Sequence, residues 1–455
     1  MLGCFVLAST AAAEVKLPSF FSKGVVLQRE RPVPVWGTAT AGAKVTVQIA
    51  GEEQTTTAAA DGKWQVRLVP HQAGGPHVLH VTESGSLPIE IGDVQFGEVW
   101  IASGQSNMHW TFSHNVRDKE RELDAAIDPL LRQFTVHKVQ AFVRKGQVNE
   151  PQSDAAGKWR SASRPELLAD GEDGASALAY FFGRRLRQEL KVPVGIYNAS
   201  VGGSAIEAWS PGGALFNKMI HPLAPGAIRG VLWYQGEANI NAAGEGYVEL
   251  TKRMVAAWRT LWGQGDFPFY YVQLAPFIHS TRPNSKAPTH ALPGLWEAQT
   301  AIMSAVPKSG MVVITDLVES TTDIHPPKKQ DVGLRLANWA LANDYGRSDI
   351  VFCGPLYRDA AIVGDAVRVR FEHVHGGLAS RDGRPLTHFQ IAGEDRRFVT
   401  AEAAIDGDAV LVRSTAVSKP VAVRFAWDEL ARPNLMNREG LPANSFRTDD
   451  WPLGN

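Results

Sequence analysis

Cysteine is nearly absent from this chain, with two residues in 455, Cys4 and Cys353. That scarcity excludes a disulfide framework. A chain of this length with 44% hydrophobic residues needs none, because it can bury a large core divided over two or three domains. An excess of charge of one sign is missing as well. The formal net charge is −1 and Lys and Arg are scattered. This leaves no electrostatic footprint for nucleic acid or an anionic membrane, and fits a small, neutral or locally charged partner. No apolar segment approaches the roughly 20 residues needed to span a bilayer. Internal repeats and low-complexity tracts are absent too.

The first residues, Met1 to Ala13, are apolar and close on an Ala-x-Ala-like site before Glu14. They read as the back half of a secretory signal without its basic start, so 1–13 is expected to be a partial signal peptide. Cys4 precedes the apolar run, whereas a lipoprotein cysteine should follow it. Removing this leader leaves Cys353 alone, and an exported protein without disulfides points to a bacterial periplasm or the medium.

What is present falls into three rhythms. Residues 14–95 hold short alternating runs, such as Lys44-Val45-Thr46-Val47-Gln48-Ile49 and Lys63-Trp64-Gln65-Val66-Arg67-Leu68, separated by turns such as Asp61-Gly62. Period-two strands with such punctuation predict a β-sandwich-like domain. Over 96–350, buried strands (Val194–Asn198, Gly230–Gln235, Phe269–Leu274, Met311–Thr315) alternate with helical periodicity (Ala177–Leu190, Tyr247–Trp262, Leu295–Val306, Val332–Leu341). That alternation predicts an α/β domain with a parallel sheet covered by helices on both faces. From 351 to 455 strands return, giving a C-terminal β region. Thirteen tryptophans serve either core packing or sugar-stacking platforms.

Gly104-Gln105-Ser106-Asn107-Met108 follows the apolar run Val99-Trp100-Ile101-Ala102, which presents a serine where a buried strand gives way to a loop. Catalytic groups of open α/β sheets gather at such strand ends. Ester hydrolysis by serine needs a proton acceptor, a group that orients the acceptor, and donors for the oxyanion. His325, in Asp323-Ile324-His325-Pro326, is the acceptor. Gly202-Gly203 and Gly236-Glu237-Ala238-Asn239 follow two further strands and offer main-chain and carboxamide donors. Ser106 is not followed by x-Gly, so the nucleophile elbow of α/β-hydrolases is absent. His373-Val374-His375 is expected on a strand with both rings on one face, but no third ligand accompanies it.

Taken together these segments resemble the sialate O-acetylesterase family of SGNH-type hydrolases. The resemblance runs from Val26-Leu27-Gln28-Arg29 and Pro34-Val35-Trp36-Gly37 through the Ser106 motif and Gly202-Gly203-Ser204-Ala205-Ile206-Glu207-Ala208-Trp209. It continues through Trp233-Tyr234-Gln235-Gly236-Glu237 and Asp323-Ile324-His325-Pro326 to Phe446-Arg447-Thr448-Asp449. It implies an SGNH-type, flavodoxin-like sheet flanked by the two β regions. It also implies Ser106 as nucleophile, His325 as base, Asp323 as orienting acid, and Gly202 or Gly203 with Asn239 as oxyanion hole, with no metal and no cofactor. Asp316 or a backbone carbonyl are alternatives to Asp323, which stands two residues before the histidine where many relatives place the acid three before. Gln105, Gln235, Glu237 and His109 are expected to contact substrate, His109 standing where the family usually has an acid. Between Trp209 and Leu215 the chain is shorter than in larger members.

The activity implied is removal of acetyl groups from a sugar hydroxyl, on sialate or, alternatively, on acetylated xylan or xyloglucan. A sialate carboxylate would call for Arg335, Arg117 or Arg259. A glycosidase would need Glu237 and Glu207 as its two carboxylates and would leave the serine and histidine without a role. A catalytically silent sugar-binding protein is the reading from another class. The partner is an O-acetylated small molecule or oligosaccharide, and the oligomeric state stays open.

Overall fold

The structure, a computed structural model, describes residues 15–138, 149–241, 245–283 and 285–452. The leader-like stretch 1–13 lies outside the described residues. The N-terminal region comprises β1 (Val26–Gln28), β2 (Val33–Thr38), β3 (Lys44–Ile49), β4 (Glu52–Thr57), β5 (Lys63–Leu68) and β6 (Gly74–Glu83). Period two decides its burial: Val45, Val47 and Ile49 of β3 and Trp64, Val66 and Leu68 of β5 point inward while their neighbours do not. β3 pairs antiparallel with β4 and β6, and β2 with β5. β4 reads Glu-Glu-Gln-Thr-Thr-Thr and has no apolar pattern to announce it; its ladder to β3 makes it a strand.

The next strand, β7 (Ile89–Gly104), is 16 residues long and buried at every position from Val94 onward. After it come α1 (Ser106–His109), α2 (Lys119–Asp124), β8 (Ile127–Val136), β9 (Gly157–Ser163), α3 (Arg164–Leu168), α4 (Ala177–Leu190) and β10 (Val194–Ser200). There follow β11 (Gly230–Tyr234), α5 (Glu245–Trp262), β12 (Phe269–Val272), α6 (Ala291–Ala305), β13 (Ser309–Val312) and α7 (Lys329–Asp344). α6 begins ahead of the expected Leu295 because Pro293 sits in its first turn, where a missing N–H costs nothing. The first half of β7 pairs with β6 and β1, and its second half pairs in parallel with β10 and β11. The expected division between 95 and 96 therefore falls inside one continuous strand.

In the sheet that β7 enters the order is β13-β12-β11-β7-β10-β8-β9, with every neighbour parallel except β9. The chain builds β8, β9 and β10 on one side of β7, then crosses to build β11, β12 and β13 on the other. The carboxyl end of β7 is thus the point where strand order reverses, and a crevice opens there. Trp100 and Tyr270 point to one face, against Phe182 of α4 and Trp339 of α7, whereas Trp233 and Tyr271 point to the other, against Trp258 of α5 and Gln299 of α6. Helices therefore cover both faces. Nine of the thirteen tryptophans are buried, so the aromatic excess serves the core rather than an open sugar-binding groove.

The C-terminal region is antiparallel throughout: β14 (Leu356–Val363), β15 (Ala366–Glu372), β16 (Leu378–Ser380), β17 (Phe389–Ala392), β18 (Val399–Thr400), β19 (Glu402–Asp406), β20 (Ala409–Arg413), β21 (Ala422–Phe425), β22 (Leu435–Asn437) and β23 (Phe446–Arg447). Val369, Ile391, Val410, Val423 and Phe425 form a core of their own, separate from the one that runs through the N-terminal region and the parallel sheet together. One expectation is corrected here. β15 ends at Glu372, and His373 and His375 both take positive φ (56° and 44°), so they sit in the turn after the strand and strand alternation does not apply to them.

Candidate active site

Four loops meet at the carboxyl edge of the parallel strands. The first follows β7. Gly104 has φ +130°, and a Cβ there would lie 2.2 Å from the Tyr234 carbonyl oxygen, so only glycine lets β7 come this close to β11 as the chain turns. The turn delivers Ser106 to the start of α1, part-exposed, while Asn107, Met108 and His109 are buried. The second loop, after β10, carries Gly202 and Gly203. Both are exposed, and neither N–H donates to a backbone or side-chain acceptor among the described residues. A Cβ on Gly202 would lie 3.6 Å from the Ser106 Cβ, which puts this loop beside the nucleophile. Ser204 holds the loop down by donating to Val201 O and accepting from the Trp209 indole.

The third loop, after β11, carries Gln235, Glu237 and Asn239. Asn239 Oδ1 accepts from Ile206 N (2.9 Å) and Gln235 Nε2 (2.7 Å), which fixes how the carboxamide faces, and its Nδ2 donates one hydrogen to Glu207 Oε2 (3.0 Å). A second hydrogen on Nδ2 remains for a ligand. The fourth loop, between β13 and α7, carries His325. Its Nε2 lies 2.9 Å from Ser106 Oγ, across 219 residues of sequence. Trp110 stacks on the imidazole with centroids 4.1 Å apart and planes 20° from parallel, and His114 stacks on the indole at 4.2 Å. Burial, then the Lys329 ammonium, lower the His325 pKa to about 4 against the opposing charge of Asp323. At neutral pH the ring is therefore a free base that can accept a proton from the serine.

Several expectations require correction in their detail. Asp323 Oδ1 accepts from the main-chain N–H of His325 at 2.9 Å; its observed hydrogen bond is to the loop backbone and not to the ring. Asp316, the alternative acid, is held by Arg335 through two bonds of 2.7 and 2.6 Å, which also takes Arg335 out of contention for a substrate carboxylate. Arg259 is spent on the carbonyls of Phe267 and Pro307. Arg117 pairs with Glu319.

Gln105 and Gln235, 3% and 0% exposed, do not line the crevice. Gln105 Oε1 takes Gln235 Nε2, Gly236 N and Ala238 N, so the two glutamines tie the β7 and β11 loops together from behind. His109 is buried beside Lys138, and burial lowers its pKa to about 4. Glu237 gives one oxygen to Asn107, and the other is buried. Glu207 holds Asn239 and Glu237 holds Asn107, so each of these carboxylates fixes a side chain beside Ser106.

Sequence reasoning missed Trp110, Asn107 and Lys329. Lys329 carried a signal, because it shares the helical stripe of Val332, Gly333 and Leu336, an apolar face on which a lysine is out of place.

Comparison with known proteins identifies the family to which this fold belongs. Residues 96–342 match the family described as carbohydrate esterase, sialic acid-specific acetylesterase. The chain is 31% identical over 398 residues to the human sialate O-acetylesterase, covering 76% of this chain and 74% of that protein. To the rat sialate O-acetylesterase it is 29% identical over 421 residues, covering 75% and 76%. The crystal structure of a carbohydrate acetylesterase from Xanthomonas citri superposes with a TM-score of 0.86 at 38% identity, covering 96% of this chain and 100% of that one.

Proposed function

Because this chain belongs to the carbohydrate esterase family of sialic acid-specific acetylesterases, we propose that it deacetylates a 9-O-acetylated sialic acid through an acyl-enzyme on Ser106. The observation that carries this reading is the 2.9 Å approach of His325 Nε2 to Ser106 Oγ at the strand-order reversal. Ser106 Oγ attacks the acetyl carbonyl as His325 takes its proton. The N–H of Gly202 or Gly203 and the free Asn239 hydrogen receive the oxyanion. Collapse expels the sugar oxygen, which leaves with the proton from His325. Water, deprotonated by the same ring, then releases acetate and restores the serine.

Acetate release from acetylated sialic acid, with fluorophosphonate labelling of Ser106, tests the proposal. Ser106→Ala should abolish both, and Asn239→Ala should lower kcat by about 10²–10³ with little change in KM. Wild-type turnover in either variant overturns the assignment of that residue.

A second reading, acetylated xylan or xyloglucan fragments, is favoured by the engagement of Arg335 and Arg259, which leaves fewer cations for a sialate carboxylate. Arg282 supports the first reading. It is exposed, has no ion-pair partner among the described residues, and its charge reaches His325. A higher kcat/KM on acetylated xylo-oligosaccharides than on the sialate would decide for the second. Export is part of the proposal and rests on the apolar start; among the described residues no helix is long and apolar enough to cross a membrane.

A further inference from the structure

Behind the serine and histidine lies a lysine that ester cleavage does not use. Lys329, the first residue of α7, is 1% exposed. An ammonium withdrawn from water must be held by something, and here Nζ donates to Asn107 Oδ1 at 2.6 Å, with the rings of Trp110 and Tyr234 at 5.6 and 5.7 Å. Asn107 Nδ2 in turn donates to Glu237 Oε1 (2.6 Å) and to Ile324 O (3.0 Å). One carboxamide therefore joins the loop after β7, the loop after β11 and the histidine loop. It does so from the residue next to the nucleophile to the residue next to the base. Trp110 links the same parts by a second route, since its ring is stacked on His325 and lies beside the lysine.

We propose that Lys329 is a positioning residue for deacetylation: it pins Asn107 so that nucleophile turn and base loop move as one body, and it sets a fixed positive charge beside the imidazole. The inference rests on the assignment of Ser106 and His325 made above. The charges that face His325 are Lys329 from α7, Asp323 from its own loop, His114 across the indole, and Arg282 from the segment after β12. Lys329 and Arg282 oppose protonation of the ring, and Asp323 favours it. Lys329 faces Glu237 and Asp323. Burial lowers its pKa to about 7 against their pull, so it carries its charge throughout the acid range where the base titrates.

Lys329→Met, which keeps bulk and removes both donor and charge, is the test, read as kcat/KM against pH and as the rate of fluorophosphonate labelling. The acid limb should rise by about one pH unit, the size expected when a unit charge that acts on the ring through a partly solvent-screened path is removed. Labelling on that limb should fall about ten-fold, and KM should stay within about two-fold. Lys329→Gln keeps a donor for Asn107 without the charge. It should shift the limb equally while recovering kcat, and it carries the test if the methionine variant does not fold. An acid limb that stays in place in the folded variant, with turnover unchanged, overturns the inference. Ser106→Ala and His325→Ala run alongside: if they keep wild-type acetate release, the active-site assignment fails, whereas if they are dead and Lys329→Met behaves as wild type, only the role of Lys329 fails.

Discussion

The N-terminal β region reaches the catalytic sheet through main chain, and the C-terminal β region reaches it through side chains. On the first side β7 belongs to both sheets, and one hydrophobic core spans the seam. Glu98 sits on that seam with no exposure and accepts from Arg29 (2.6 Å), Gln28 (3.1 Å), Arg229 (2.8 and 3.0 Å) and Tyr345 (2.9 Å). Burial works to raise its pKa, but the two guanidiniums outweigh burial and hold the carboxyl below its ordinary value. On the second side the core is separate. Glu429 Oε2 accepts from the backbone of His279 (2.9 Å) and Ser280 (3.0 Å), Arg447 pairs with Glu297 (2.8 Å), and Asn444 reaches Thr300 (3.3 Å). The N-terminal region is thus part of the catalytic folding unit, while the C-terminal region is a body docked on it.

Glu98→Ala should be the hardest blow to the first seam, since it removes the buried carboxylate that two part-buried guanidiniums share and leaves them only the more exposed Glu30, at a cost of about 3 kcal/mol. Denaturant unfolding followed by tryptophan fluorescence should show the N-terminal region and the catalytic sheet falling together. A variant that loses the N-terminal region alone, with Ser106 still labelled, would break the comparison. Glu429→Ala should cost less, about 1–3 kcal/mol for donors left without an acceptor. Its signature should be early hydrogen exchange in 356–452 ahead of the catalytic sheet; simultaneous exchange of both would show that the C-terminal region is no separate body.

The smallest effect is one of pH and belongs to the first seam. Burial raises the Asp344 pKa from 3.8 to about 6, with the Tyr270 hydroxyl and Arg229 opposing. A carboxyl with a raised folded-state pKa favours the folded state most below its unfolded value, and that contribution is lost as pH rises through the folded one. Between pH 4 and 6 the stability of the wild type relative to Asp344→Asn should therefore decline with rising pH, by no more than about 2 kcal/mol given its partial exposure. A flat difference across that window would remove this titration from the seam.

The alternating strands of the N-terminal region and the four long helices were legible in the sequence because one buried face imposes its own period. Ser106 was legible because it follows a buried strand in a motif, and His325 because its Asp-x-His-Pro motif stands in a loop ahead of a helix. What escaped had no local signature. β4 is a strand by pairing alone. The continuity of β7 was hidden by the change of composition near Gly97, which reads as a boundary but is a close approach to Pro193. Asp323 stood at a plausible spacing for the ring, yet two residues is also the span of a side chain folding back on its own loop amide. Gln105, Gln235 and Glu237 looked like substrate contacts because polar residues at a crevice usually are. Here their partners are one another's loops, which no single segment reveals.

A strand that lies in two sheets at once also governs where this chain can change length during descent. One residue inserted between Gln95 and Glu98 would turn over every side chain beyond it, exchanging the sides taken by Trp100 and Ser103 and carrying Gly104 past Tyr234. Insertions and deletions should accordingly be tolerated in the connections around β7 rather than within it, and a recombination event that swapped the N-terminal region at this point would have to match the splice to the residue.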